Sequence, residues 1–460
     1  MNYALKFFVA FLFVFTNKIF AQQPSALFRI ENNVLKACNY EQIPANGQIT
    51  IPYFVRKIDK EAFANCNKLT AIEIPNTVEI IEQRAFFNCT NLSSVVIPDS
   101  VERIGKEAFA FCSNLGSVRF ASSVQHIEDE AFNSCIALEF IELPNSVTAL
   151  GTGVFMNCTS LKQIKLSNEL QELPHKTFYQ CKSLKNIRIP EAITQIGASV
   201  FAYCEGLSSV VFLGNMVERI GNDTFEHCIS LKEITLPDSV TNLGASTFHH
   251  CTRLESVILP KYLNQIKNDT FLDCHNLRAV ILPEKLQKIG MHAFRNCHNI
   301  TYLELPNTVT EILFGAFNNC RNLKVVKLSE QLHHLGAFAF ANCLSLEKIE
   351  LPILIVEIHD KVFYDCKSLA LVKLSNEIQV IGVQSFYGCT SLKSITLPAS
   401  VTKIDLEPFS GCKNLKKIRC EAPTPPEIRL SLGYKGTIVV PKKYKKLYEE
   451  ADKWKDLTIE

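Results

Sequence analysis

Sixteen cysteines, from Cys66 to Cys412, recur every 23 residues with one interval of 24 between Cys204 and Cys228. A phenylalanine stands three residues before each, from Phe63 to Phe409, and a leucine (once Ile300) three residues after. One unit read onward from Cys89 gives Leu92, Val95, Ile97, Pro98, Val101, Ile104, Gly105, Ala108, Phe109 and then Cys112. Val95 and Ile97 are two apart and point to one face of a short strand, which Pro98 ends because it has no amide hydrogen to donate. Val101, Ile104 and Gly105 read as a tight return turn. A 23-residue unit cannot bury its apolar side chains alone, but a stack of such units shares one core. A length of 460 residues would otherwise suggest about three globular domains. The repeat predicts instead one solenoid of about sixteen units in an α/β-type arc, with one short parallel strand per rung.

Units such as C-T-N-L-S-S-V-V-I-P-D-S-V-E-R-I-G-K-E-A-F, at residues 89–109, resemble BspA-like (treponemal-type) leucine-rich repeats. The resemblance covers about residues 50–420. The tail is similar to the closing segment of bacterial members in Ala422-Pro423-Thr424-Pro425-Pro426, Val439-Val440-Pro441 and Trp454. The resemblance implies an exported surface or secreted binding protein, some relatives being linked to adhesion to host matrix proteins or to other cells.

The ends carry their own signals. Lys6, the nine-residue apolar run Phe7–Phe15 and Ile19-Phe20-Ala21 read as a secretory signal over residues 1–21, too short to span a bilayer. Residues 22–52, with Phe28, Ile30, Val34, Leu35, Ile49 and Ile51, predict an N-terminal cap, and the repeats run over 53–420. Residues 421–460 predict a C-terminal cap in which Pro441 begins an amphipathic helix, with Tyr444, Leu447, Tyr448, Ala451 and Trp454 on its inner face. A helix lying on a membrane surface is the alternative reading. Lysine and arginine number 48 against 46 acidic residues, and removal of Lys6 and Lys18 leaves 46 against 46, which offers no case for a nucleic-acid partner. Only residues 412–460 are lopsided, with 12 basic and 7 acidic side chains.

Each repeat owns one cysteine, so a disulfide would have to join adjacent rungs whose Cβ vectors are parallel and poorly aimed. A ladder of buried free thiols is the preferred expectation, with Cys420 in the strand slot of Leu397 and Cys38 in the cap. His227, His250 and Asp273 precede successive cysteines and would stack as potential metal ligands. Their counterparts Asn65, Asn88, Asn157, Asn296, Asn319, Asn342, Asp365, Gly388 and Gly411 favour a left-handed turn position instead, so no metal or cofactor is expected. No phosphate-binding glycine loop, metal-binding H-E-x-x-H or G-x-S-x-G occurs, and Glu73, Glu142, Glu304 and Glu350 fill a repeated solvent-facing slot, so no enzyme activity is expected.

The side chains seven residues after each cysteine should point outward. That column is charged at both ends and uncharged from Val211 through Thr235, Ile258 and Ile281. The position five residues after the cysteine adds Ala279, Tyr302 and Val325. Val211, Ile258, Ala279, Ile281, Tyr302 and Val325 are the candidate contacts for an extracellular protein or glycan ligand. Ordinary strand composition is the bland reading, and a passive spacer without a ligand is the alternative function.

Overall fold

In a computed structural model, residues 27–460 are described; the expected signal, residues 1–21, lies outside them. The chain winds into a solenoid of about 19 stacked turns of about 23 residues. Sixteen follow the cysteines, and Gln48–Thr50, Thr437–Val439 and Thr458–Ile459 extend the same sheet direction at the two ends. Each rung is built as its spacing requires. In the rung after Cys89, strand Ser94–Ile97 points Val95 and Ile97 inward and leaves Ser94 and Val96 outside. Leu92, Val95, Ile97, Val101, Ile104, Ala108, Phe109 and Cys112 are all buried in one core shared with the neighbouring rungs.

The expected strand is present in every rung, and a second one accompanies it. Arg103–Ile104 and its counterparts form two-residue strands in parallel register, Ile81 against Ile104 against Ile127. The Val101 to Ile104 spacing thus marks a strand paired to the next rung as well as a bend. This ladder is interrupted between Leu150 and Glu172, between Leu243 and Gln265 and between Leu335 and Glu357; at the first break Pro174 stands at the position whose amide donates in other rungs, as Gly151 N donates to Ile127 O at 2.7 Å.

The third side of the rung is also hydrogen-bonded along the solenoid. Glu61, Phe63 and Asn65 donate their amides to the carbonyls of Gln83, Ala85 and Phe87 at 3.1, 2.7 and 2.7 Å. This geometry places two left-handed residues in each rung, Glu61 at φ 58° and Asn65 at φ 63° in that one. The position before the cysteine has positive φ in all sixteen rungs, including His227, His250 and Asp273, as the turn reading requires. The position four residues earlier does so too, at Arg84, Glu107 and Lys176, without the asparagine or glycine that usually announces it. A non-glycine residue there costs roughly 1 kcal/mol, which the amide bond to the next rung offsets.

Inside this side run two columns. The phenylalanines stack in near-parallel pairs, for example Phe248 with Phe225 and Phe271, each at 5.5 Å and 6°. Beside them, every Sγ from Cys89 to Cys412 lies 3.0–3.3 Å from the carbonyl oxygen of the preceding rung's phenylalanine. All eighteen cysteines are buried free thiols. Burial drives the pKa values of the repeat thiols from Cys135 onward upward, that of Cys158 to about 12 and that of Cys412 to about 11.

Both ends are covered. The antiparallel pair Phe28–Glu31 and Val34–Cys38 closes the first rung, with Val34–Cys38 lying against Lys57–Ile58. At the other end the expected long helix is reduced to a 3-10 turn at Lys442–Tyr444 and the six-residue α-helix Lys445–Glu450. Ala451 leaves the helix with ψ 142°, so Leu447 stays 49% exposed rather than packing inward. Tyr448 and Trp454 do pack as expected, edge to face at 4.8 Å. The Tyr448 hydroxyl donates to Ala422 O, and Trp454 Nε1 donates to Pro426 O, each at 2.8 Å. Cys420 occupies the slot of Leu397, as its register shows.

Candidate ligand-binding face

The outward positions of the longer strands form a continuous exposed surface. On most of it the charges neutralise one another across rungs. Lys165 Nζ lies 2.6 Å from Glu142 and Lys327 Nζ 2.7 Å from Glu304, while Lys373 pairs with Glu350 and Glu73 accepts from the Thr50 hydroxyl. The solvent-facing role expected of these carboxylates is what the geometry gives them.

The uncharged stretch interrupts this ladder. Thr235, Ile258 and Ile281 stand side by side in register on strands Glu233–Thr235, Ser256–Ile258 and Ala279–Ile281. Ile258 is 47% exposed and Ile281 65%. Ala279 is exposed beside Ser256 on the same strands. Val211 sits on a separate sheet segment, Asn186–Ile189 with Ser209–Phe212, yet it lines one depression of 620 Å³ with Thr235 and Ile258. The single extra residue of the array forms a bend at Leu213–Asn215, and Gly214 and Asn215 make the rim of that depression. Tyr262, in the turn beyond Ile258, is exposed and has the ammonium groups of Lys261 and Lys285 at 4.8 and 5.1 Å from its ring centre.

Tyr302 and Val325 do not join this group. They face each other on the next sheet segment and line a second depression with Leu371 and Ile353. The Tyr302 hydroxyl donates to Glu304 at 2.7 Å, which draws its polar end into the Glu304–Lys327 pair. Val325 is only half-exposed. Leu371, 61% exposed, belongs to the same five-residue column and was there to be found by spacing alone. Ile353 and Leu354 replace the polar residues that follow the proline in other rungs, such as Asp99-Ser100, and both are exposed.

The histidine column forms a packed edge. His227 stacks on Tyr203 at 4.6 Å and on His250 at 4.2 Å. His249 Nδ1 lies 3.3 Å from the Glu226 carboxylate, which raises the His249 pKa and lowers that of Glu226. Burial, and then the neighbouring His250, lower the pKa of His227. Among the described residues no group of three or more His, Cys, Asp or Glu is placed to hold a metal ion, and no helix is long and apolar enough to cross a membrane.

The family model for the BspA type leucine rich repeat region matches in overlapping segments at residues 29–158, 125–255, 210–313, 243–370 and 287–416. No curated protein matches the chain significantly. Among solved structures, a leucine-rich repeat protein from Bacteroides ovatus is 26% identical, with a TM-score of 0.49, over 94% of this chain and 96% of that one. A leucine-rich cell surface protein from Faecalibacterium prausnitzii is 24% identical, with a TM-score of 0.45, over 77% of this chain and 94% of that one. The 23-residue rung, its cysteine and phenylalanine columns and a family match across most of its length place this chain among the BspA type leucine-rich repeat proteins.

Proposed function

We propose that this is an exported, non-enzymatic protein that holds an extracellular protein or glycan against the open strand face, in the manner of an adhesin. The observation that carries this reading is the pairing of Ile258 with Ile281, two exposed aliphatic side chains in register in a column where other rungs place the charged pairs Glu142–Lys165, Glu304–Lys327 and Glu350–Lys373. Packing a partner over them would remove apolar surface from water at about 25 cal/mol per Å². Val211 and Ala279 extend the contact, and Tyr262 with its two lysines supplies an aromatic anchor at the border. Tyr302 and Val325 serve a second contact along the same face. Export rests on the N-terminal apolar segment with its flanking lysine.

The test is binding of the purified mature chain to immobilised matrix proteins and glycans, beside the variant carrying Ile258→Glu and Ile281→Glu. Saturable binding that the variant loses while keeping its melting temperature supports the reading. Equal binding by both chains to every matrix protein and uncharged glycan moves the site elsewhere. No binding by either favours a passive spacer.

A further inference from the structure

Five basic residues of the tail gather with Lys393 in one place on the folded chain. On the last cysteine rung, strand Lys417–Cys420 buries Ile418 and Cys420 and turns Lys417 and Arg419 outward. Lys413 and Lys416 are exposed just before it, and the Lys416 amide donates to Lys393 O at 3.0 Å, which sets Lys393 one rung away. Lys435 is exposed two residues before Thr437, the partner of Lys417 on the other side. Among the described residues none of these six cations has a carboxylate within ion-pairing distance, in contrast to Lys165, Lys327 and Lys373 on the same face. Glu421 follows two residues after Arg419 and bounds the patch along the strand.

The ground between the charges is hydroxylic. Ser394 and Thr437 flank Lys417, and Thr396 and Val439 flank Arg419. No aromatic ring lies among these strand positions to stack a base, and no large apolar side chain projects from them to enter a bilayer. Rungs about 4.8 Å apart, and outward residues about 6.6 Å apart along a strand, make a grid roughly 10 Å across. That grid fits sulfate or carboxylate groups spaced along a saccharide chain, with the Arg419 guanidinium suited to a two-point contact. We propose that the last cysteine rung and the segment closing it bind a polyanionic glycan, sulfated or carboxylated, at a site separate from the Ile258–Ile281 contact.

The test uses the mature chain, with heparin and hyaluronate as the sulfated and carboxylated probes and neutral dextran and single-stranded DNA as controls. The chain should bind one or both glycans at low salt, progressively less as sodium chloride is added, and dextran not at all. Lys416→Glu, Lys417→Glu and Arg419→Glu together should weaken binding by at least about tenfold, since each exposed charge contributes up to ~1 kcal/mol. If the charge-reversed chain melts lower, the milder Lys416→Gln and Lys417→Gln pair should still weaken binding at an unchanged melting temperature. Ile258→Glu with Ile281→Glu should leave glycan binding intact, so failure of one site is told from failure of the other. Absence of glycan binding at low salt, unchanged affinity in both basic-patch variants, or DNA binding as tight as heparin's would overturn the proposal.

Discussion

The thiol of Cys89 donates to the carbonyl oxygen of Phe63 across one rung at 3.0 Å, and the same carbonyl receives the amide of Cys66 at 3.1 Å. One oxygen therefore closes the turn of its own rung and ties down the next. A thiol is small enough for this slot and polar enough to meet the oxygen, whereas alanine would leave it partly unmet.

That role requires reduced sulfur. Thiol titration without reductant should find almost no reactive cysteine in the folded chain and all eighteen once it is denatured. A low count in the denatured chain would mean inter-rung disulfides.

The same burial makes the fold sensitive to alkali. The folded pKa values of the thiols from Cys135 to Cys389 stand above those of the unfolded chain, so their contribution is complete below the ordinary thiol pKa and is lost as pH rises through it. One pH unit above that value each buried thiol lowers stability by about 1.4 kcal/mol, and several together exceed the 5–15 kcal/mol typical of a folded domain. Circular dichroism should show cooperative unfolding at roughly pH 10–11. Cys228→Ala with Cys251→Ala should make the decline with pH shallower, at some cost in stability at neutral pH.

The phenylalanine column bears more of the packing. Phe248→Ala removes the ring stacked between Phe225 and Phe271 and opens a cavity between them. Denaturant unfolding should show a loss of about 3–5 kcal/mol, and Phe248→Leu a smaller one.

Gly244 has ordinary negative φ, and its constraint is spatial. A Cβ there would lie 2.3 Å from the backbone of Gly221 in the preceding rung. Gly244→Ala should cost about 1–3 kcal/mol by forcing the two rungs apart, whereas Gly116→Ala, whose nearest contact would be 3.6 Å, should be nearly silent.

Histidine titration by NMR should separate two neighbours. His249 should titrate above the ordinary imidazole value because of Glu226, and His227 below it because it is buried beside His250. The attraction between His249 and Glu226 is lost both above the raised histidine pKa and below the lowered carboxyl pKa. His227, whose folded pKa is depressed, contributes stability above the unfolded value and loses it as pH falls below about 6.5. Glu226→Gln should bring His249 down while His227 stays depressed.

What the sequence made legible was whatever repeats in side-chain type. The lone buried cysteine leaves a residue signature in each rung, and inward Val95 and Ile97, the proline stop and the left-handed position at Asn65 leave one in most. Arg103–Ile104 leaves none, because a two-residue strand exists only through its pairing with neighbouring rungs. The second left-handed position is marked by glycine only at Gly153 and Gly315; elsewhere residues as different as Glu61, Arg84 and Phe338 are held there by amide bonds to the next rung. The helix after Pro441 misled because Leu447 has inward spacing, but the chain leaves the helix at Ala451. Among the candidate contacts, spacing placed Ile258 beside Ile281 correctly, yet it could not show that Tyr302 bonds to Glu304.

The amide bonds on the left-handed side of the rung run from backbone to backbone, and each neighbour offers the same set of acceptors. Genetic recombination that duplicates or deletes one whole 23-residue unit therefore preserves every register, changing the reach of the molecule in steps of about 4.8 Å. An insertion of any other length must be swallowed by a bend, as the extra residue between Cys204 and Cys228 is at Leu213–Asn215. Length in this protein is thus quantised, changing by whole rungs while the cross-section stays constant.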